Sequence, residues 1–233
     1  MIELVLTAFL VNDVRSATLH EIPADLQVLA TSATVRIINP VRHSKGSGVV
    51  LRKSGPLVYI LTASHVVKDA QQVEIHTFSA ASHPKPDKVY RSVDVIAKSG
   101  DSTTDLALIR LSSDRAMAAA ETRICPVRLL PTGENFSAVS AGCSGGRAPS
   151  CQLEKVRCAR LVRKEGDTEA VAYWEVDQRP ARGRSGGPLF DQHGNLLGIC
   201  GGSNGDRGYY CHVEVIQGFL KQQGLAWLLP DRP

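Results

Sequence analysis

Aromatic residues make up only 5% of the 233-residue chain, so there are few platforms on which unpaired bases could stack. Charge of one sign is also scarce. The net charge is +4, and the densest basic stretch, residues 157–164, alternates with Cys158, Ala159, Leu161 and Val162. That alternation reads as one solvated face of a strand, so nucleic acid is not an expected partner. No apolar run approaches the roughly 18–20 residues that cross a bilayer, so no membrane span is expected. None of the six cysteines has a partner at C-x-x-C spacing, which disfavours zinc ribbons and thioredoxin-like motifs. Neither a metal nor an organic cofactor is expected.

What remains is ordinary globular material, 43% apolar and 21% charged. Its length suffices for one large all-β unit or two small domains with buried cores. The apolar run at residues 4–11, followed by Ser16 and Ala17, reads as the end of a secretory signal, although Glu3 stands where positive charge belongs. Periplasmic or extracellular export is the expectation. The even cysteine count suggests disulfides. Cys143 and Cys151 flank a flexible turn and are the first expected pair, and Cys200 and Cys211 flank another Gly-rich turn. The competing reading is that several are buried free thiols.

Short β-rich runs separated by Gly, Pro, Asn and Asp dominate the chain. Residues 34–38, 48–51, 57–62, 73–76, 93–96 and 106–111 read as strands in the first half. Residues 127–130, 152–162, 170–176, 188–190, 195–200 and 209–213 follow in the second. Asp191-Gln192-His193-Gly194 reads as a hairpin turn. Helical patterns are confined to residues 63–70, 115–121 and 214–229, the last suited to a C-terminal helix docked on the body. Many short punctuated strands predict an all-β barrel or sandwich.

Three segments carry chemistry. Gly183-Arg184-Ser185-Gly186-Gly187-Pro188 places a hydroxyl among residues that let the backbone bend and a substrate approach. Thr62-Ala63-Ser64-His65-Val66-Val67 follows an apolar strand, and Asp105 opens another. Each has an ordinary structural reading alone; together, in this order, they point to an activated nucleophile. Gly183-Arg184-Ser185-Gly186-Gly187 also satisfies G-x-S-x-G, the nucleophile elbow of α/β-hydrolases. That fold needs the acid and histidine after the serine and alternating strands and helices before it, and neither condition is met.

With these segments the chain resembles the chymotrypsin/trypsin-like serine peptidases. It is nearest to the bacterial HtrA-like branch through Gly46-Ser47-Gly48-Val49-Val50, Tyr59-Ile60-Leu61-Thr62 and His65-Val66-Val67. The resemblance implies two six-stranded antiparallel β-barrels with a C-terminal helix. Residues 1–27 would be an extension or partial signal, 28–115 the first barrel, and 116–233 the second barrel and helix. It further implies a His65–Asp105–Ser185 triad, an oxyanion hole from the Gly183 and Ser185 N–H groups, and protein or peptide substrates. Arg179 would lie near the base of the primary pocket, with Gly201, Gly202 and Ser203 on the strand edge that pairs with substrate. The different-class alternative is a peptide-binding pseudoprotease that keeps the fold without turnover.

Two departures stand out. Arg184 occupies the place of the aspartate that trypsin-like enzymes pair with a newly cut N-terminus, so that activation route is not expected. No PDZ-type domain is expected after Leu229.

Overall fold

The computed structural model describes residues 19–113 and 117–230. Helix α1 (Ala24–Ala33) leads into β1 (Thr34–Asn39), β2 (Ser44–Ser54), β3 (Leu57–Ala63), β4 (Gln72–Thr77), β5 (Lys88–Lys98) and β6 (Leu106–Ser112). These strands close in the order β1-β2-β3-β6-β5-β4. The second set is β7 (Phe136–Gly142), β8 (Ser150–Val162), β9 (Val171–Val176), β10 (Pro188–Phe190), β11 (Leu196–Asn204) and β12 (Arg207–His212). It closes as β10-β11-β12-β9-β8-β7, so the chain forms the two six-stranded antiparallel barrels that were expected. Closure gives every strand a neighbour on both sides, although β10 pairs with β11 only at Leu196, Gly198 and Ile199 and stops short of Gly201–Ser203.

The long apolar runs of β2, β3 and β6 follow from where these strands lie. Val50, Val58, Ile60, Ala107, Ile109 and Leu111 fill the first barrel. Their alternates Val49, Leu51, Tyr59, Leu61, Leu106 and Leu108 join the core shared with the second barrel. Both faces of these strands are buried, so the polar alternation of a half-exposed strand is absent. The β2–β3 register shifts between Val50 and Arg52 and the β11–β12 register between Cys200 and Gly202, bulges of the kind that bend strands around a barrel.

Both ends of the described chain strap the barrels together. Leu26, Ala30 and Ala33 of α1 precede the first barrel in sequence yet pack into the core cluster of the second. At the other end α2 (Val213–Gln222) buries Val213, Ile216, Phe219 and Leu220, and the His212 side chain accepts from the Glu214 N–H as its N-cap. The chain then returns to the first barrel, where Trp227 meets Tyr59 edge-on at 5.1 Å between centroids. No helix among the described residues is long and apolar enough to cross a membrane. The apolar run at residues 4–11 lies outside the described residues.

Several local expectations change. Residues 127–130 are not a strand: Val127–Leu129 is a 3-10 turn, closed by Leu129 N–H to Pro126 O and Leu130 N–H to Val127 O between two prolines. Residues 117–121 are irregular rather than helical, and residues 114–116 are outside the described set. The C-terminal helix ends at Gln222, and Ala226–Leu228 is a separate 3-10 turn.

The expected disulfides are corrected as well, because all six cysteines are free. Cys151 sits opposite Ala141, and its thiol points to the Gln27 carbonyl of α1. Cys143 is buried two residues further on, its N–H bonded to Ser47 Oγ. Cys200 and Cys211 are one register position apart, opposite Tyr210 and Ile199 respectively, so the strand period sends their side chains to opposite faces. The folded protein is therefore expected to unfold at the same temperature with and without reductant. A closed bridge would instead contribute about 2–4 kcal/mol, visible as a drop in Tm on reduction.

Candidate active site

The geometry starts at the end of β3, where a 3-10 turn (Ser64–Val67) presents His65. Asp105 precedes β6 with φ 49°, a left-handed conformation that Asp and Asn tolerate better than most residues. Its backbone carbonyl accepts from Ser64 N–H at 3.0 Å, which registers the two segments. The carboxylate is 3% exposed while the His65 ring is 42% exposed, so the pair has a buried acid and an accessible imidazole.

Four donors converge on that carboxylate. Ser64 Oγ at 2.8 Å and His65 N–H at 3.0 Å reach Oδ1. His65 Nδ1 at 2.7 Å and Lys164 Nζ at 3.1 Å reach Oδ2. Burial pushes the Asp105 carboxyl up, but the His65 hydrogen bond and the charges of His65 and Lys164 outweigh it. The net effect holds the group below the usual carboxylate range. With Nδ1–H bound to a carboxylate, the imidazole presents Nε2 as a base.

Ser185 belongs to the second barrel, and its turn is fastened to the first. Ser185 O accepts from Ser47 N–H at 2.8 Å, and Ser47 Oγ donates to Gly183 O at 2.7 Å. The same hydroxyl accepts from Cys143 N–H at 2.9 Å. Thr62, three residues before His65, donates its hydroxyl to Ser47 O at 2.6 Å. Glycine is required on both sides of the serine. Gly183 has φ 91° and Gly186 φ 81°, and a Cβ would strike Cys143 O at the first and Ser47 O and Thr62 Oγ1 at the second. Among the described residues no acceptor engages the N–H of Gly183 or Ser185.

Arg184 is the largest fully buried side chain of the fold, 1% exposed. Its guanidinium enters the second barrel, reaching Ser150 O at 3.0 Å, Ser140 Oγ at 2.8 Å and Ser144 Oγ at 3.4 Å. Ser140 in turn donates to the buried Glu154 at 2.7 Å. Burial raises the Glu154 carboxyl above its usual range, against the Ser140 hydrogen bond and the Arg184 charge.

Gly201, Gly202 and Ser203 lie on β11 along a groove of about 470 Å³, which residues 160–164, Tyr173 and Tyr209 also line. Arg179, expected near the base of the primary pocket, is exposed. Asp177, two residues before it, is paired with Arg157 and Arg207. Sequence reasoning missed Ser47, Ser64 and Lys164. The first two were visible as hydroxyls inside the segments that carry the resemblance. Lys164 gave no signal beyond its place in a basic run.

A family model described as trypsin-like peptidase domain matches residues 46–199, the span that holds His65, Asp105 and Ser185. The chain belongs to the trypsin-like peptidase domain family. The Serine protease Do-like HtrA of Bacillus subtilis (strain 168) is 28% identical over 160 residues, 66% of this chain and 32% of that protein. The HtrA of Lactococcus lactis subsp. cremoris (strain MG1363) is 26% identical over 161 residues, 67% of this chain and 36% of that protein. The chain thus spans about a third of the length of these HtrA relatives.

Solved members of the fold agree. The Rv3671c protease of M. tuberculosis, in its inactive form, superimposes with a TM-score of 0.66 at 21% identity, covering 84% of this chain and 90% of that one. A serine endoprotease from Yersinia pestis gives 0.62 at 20% identity, covering 89% of this chain and 68% of that one. In this member of the trypsin-like peptidase family, Arg184 points inward to Ser140 and Ser150 and a lysine sits on Asp105.

Proposed function

We propose that the protein is a serine endopeptidase that hydrolyses peptide bonds through an acyl-enzyme, with His65, Asp105 and Ser185 as its triad. The observation that carries this reading is the buried Asp105 carboxylate bonded to Nδ1 of an accessible His65, with the Ser185 turn bolted to the same wall by Ser47. In this mechanism His65 Nε2 takes the proton as Ser185 Oγ attacks the scissile carbonyl. Asp105 keeps the proton on Nδ1 and stabilises the imidazolium that forms. The unengaged N–H groups of Gly183 and Ser185 receive the oxyanion. Losing one such donor costs about 3–4 kcal/mol of barrier stabilisation. His65 then protonates the leaving amine, and water resolves the acyl-enzyme by the reverse proton path.

Substrates are proteins or peptides, paired along the Gly201–Ser203 edge, and the chemistry calls on no metal or organic cofactor. Export rests on the apolar run at residues 4–11. The test is covalent labelling with a fluorophosphonate probe. Wild type should label, while Ser185→Ala and His65→Ala should not. Labelling that survives in Ser185→Ala would remove the nucleophile assignment. A folded wild type that never labels would favour the peptide-binding pseudoprotease.

A further inference from the structure

Asp105 already has three donors from its own barrel before Lys164 arrives from the other one. The lysine is held there by more than its charge. Its backbone N–H donates to Thr103 Oγ1 at 2.9 Å, the Asp167 carboxylate accepts from Ser102 Oγ at 2.7 Å and from Thr103 Oγ1, and Tyr173 OH donates to Thr103 O at 2.5 Å. The β8–β9 connection therefore clasps the loop that delivers Asp105. Lys164 Nζ lies 3.1 Å from Asp105 Oδ2 with its side chain 37% exposed. Only one hydrogen bond from this ammonium, with its three donors, is formed to another described residue.

The groove beside it is unbalanced in charge. Arg160, Arg163 and Lys164 line it opposite Gly201–Asn204. No carboxylate lines it. Glu175, 6% exposed, is held by Arg160 Nε at 2.8 Å and by Tyr209 OH at 3.3 Å, and Asp105 is 3% exposed. Arg163 is exposed and makes no ion pair among the described residues. An extended chain seated on the Gly201–Ser203 edge would run between cations with spare donors, along a groove whose lining holds no carboxylate, the Asp167 carboxylate being held outside it by Ser102 and Thr103.

Resting on the peptidase reading of the same site, we infer that this groove selects peptides bearing an Asp or Glu side chain on the residues paired along Gly201–Ser203, and that Lys164 reads that carboxylate. Lys164 thereby ties substrate recognition to the triad. An ammonium beside Asp105 partly offsets the negative charge that stabilises the His65 imidazolium. A substrate carboxylate on the free face of Nζ counters that ammonium. The preference is therefore expected in kcat as well as in KM.

The experiment compares quenched-fluorescence peptides that differ only by Glu or Gln at successive positions on the acyl side of the cleaved bond. Wild type should favour Glu by about 10-fold in kcat/KM at one position, the low end for a charge-assisted hydrogen bond. Lys164→Met should bring Glu and Gln together, and Lys164→Arg should retain the preference. Equal rates for Glu and Gln in wild type, or a preference that survives in Lys164→Met, overturn the inference. The same peptides titrated onto Ser185→Ala by fluorescence anisotropy read the preference without turnover. Tighter binding of Glu there, with an unlabelled wild type, would uphold the selectivity and sink only the catalytic reading.

Discussion

Asp105→Asn is expected to lower kcat on the order of 10⁴-fold while the protein stays folded and KM changes little. The backbone accepts the change, because φ 49° at this position suits asparagine as well as aspartate. The hydrogen bonds do not. Oδ1 accepts from Ser64 Oγ and His65 N–H, and Oδ2 from His65 Nδ1 and Lys164 Nζ. Asparagine has one acceptor oxygen for these four donors. With the oxygen at the Oδ1 site, the amide NH2 faces Nδ1 and can only donate to it. The imidazole proton then moves to Nε2, and the ring loses the lone pair that would accept the Ser185 proton. With the amide reversed, NH2 would oppose the fixed His65 N–H, a buried clash of donors that costs more than the tautomer change. Steady-state kinetics on a cleaved peptide, with circular dichroism and Tm as controls, check this. Turnover within about 10-fold of wild type would remove Asp105 from the triad.

Residues with obligatory turn chemistry were legible in the sequence. The glycines around Ser185, the apolar run ending at Thr62 and the apolar run after Asp105 each mark a barrel strand meeting a loop, and their order excluded the α/β-hydrolase alternative. Strand β7 was not legible, because Phe136–Gly142 contains two serines, two alanines and a glycine and carries little β signal. Its small side chains suit a wholly interior place: Ala138, Val139, Ser140 and Ala141 are all buried. Residues 127–130 misled in the other direction, since apolar content suggested a strand while Pro126 and Pro131 dictated a turn. The cysteines misled because flanking a turn says nothing about register, and one position of offset separates Cys200 from Cys211. Lys164 could not be anticipated, because its meaning depends on a loop from one barrel reaching an acid in the other.

Arg184→Met is expected to cost about 3–5 kcal/mol, the range for stranding one side of a buried charged network. For a chain of this size that is roughly 6–20 °C in Tm. Arg184 is buried with Glu154, and the two communicate through Ser140 rather than by direct contact. Removing the guanidinium leaves Ser150 O without its side-chain donor and Glu154 without a compensating charge. The double variant Arg184→Met/Glu154→Gln should therefore recover part of the loss, with a coupling of about 0.5–3 kcal/mol. Arg184→Lys keeps the charge, but a single ammonium cannot reproduce a planar fork that reaches Ser150 O and Ser140 Oγ from separate nitrogens; it should fall between wild type and methionine. An unchanged Tm in Arg184→Met, or strict additivity with Glu154→Gln, would show that the network carries no such weight. The sequence cast this residue as a departure that replaces the aspartate paired with a newly cut N-terminus in trypsin-like enzymes. Its position supports the turn: the Arg184 N–H bonds to Ala181 O, its carbonyl accepts from Gly187 N–H, and its side chain is anchored inside the second barrel. Anchored there, Arg184 holds the turn from within, and the N–H groups of Gly183 and Ser185 keep no acceptor among the described residues.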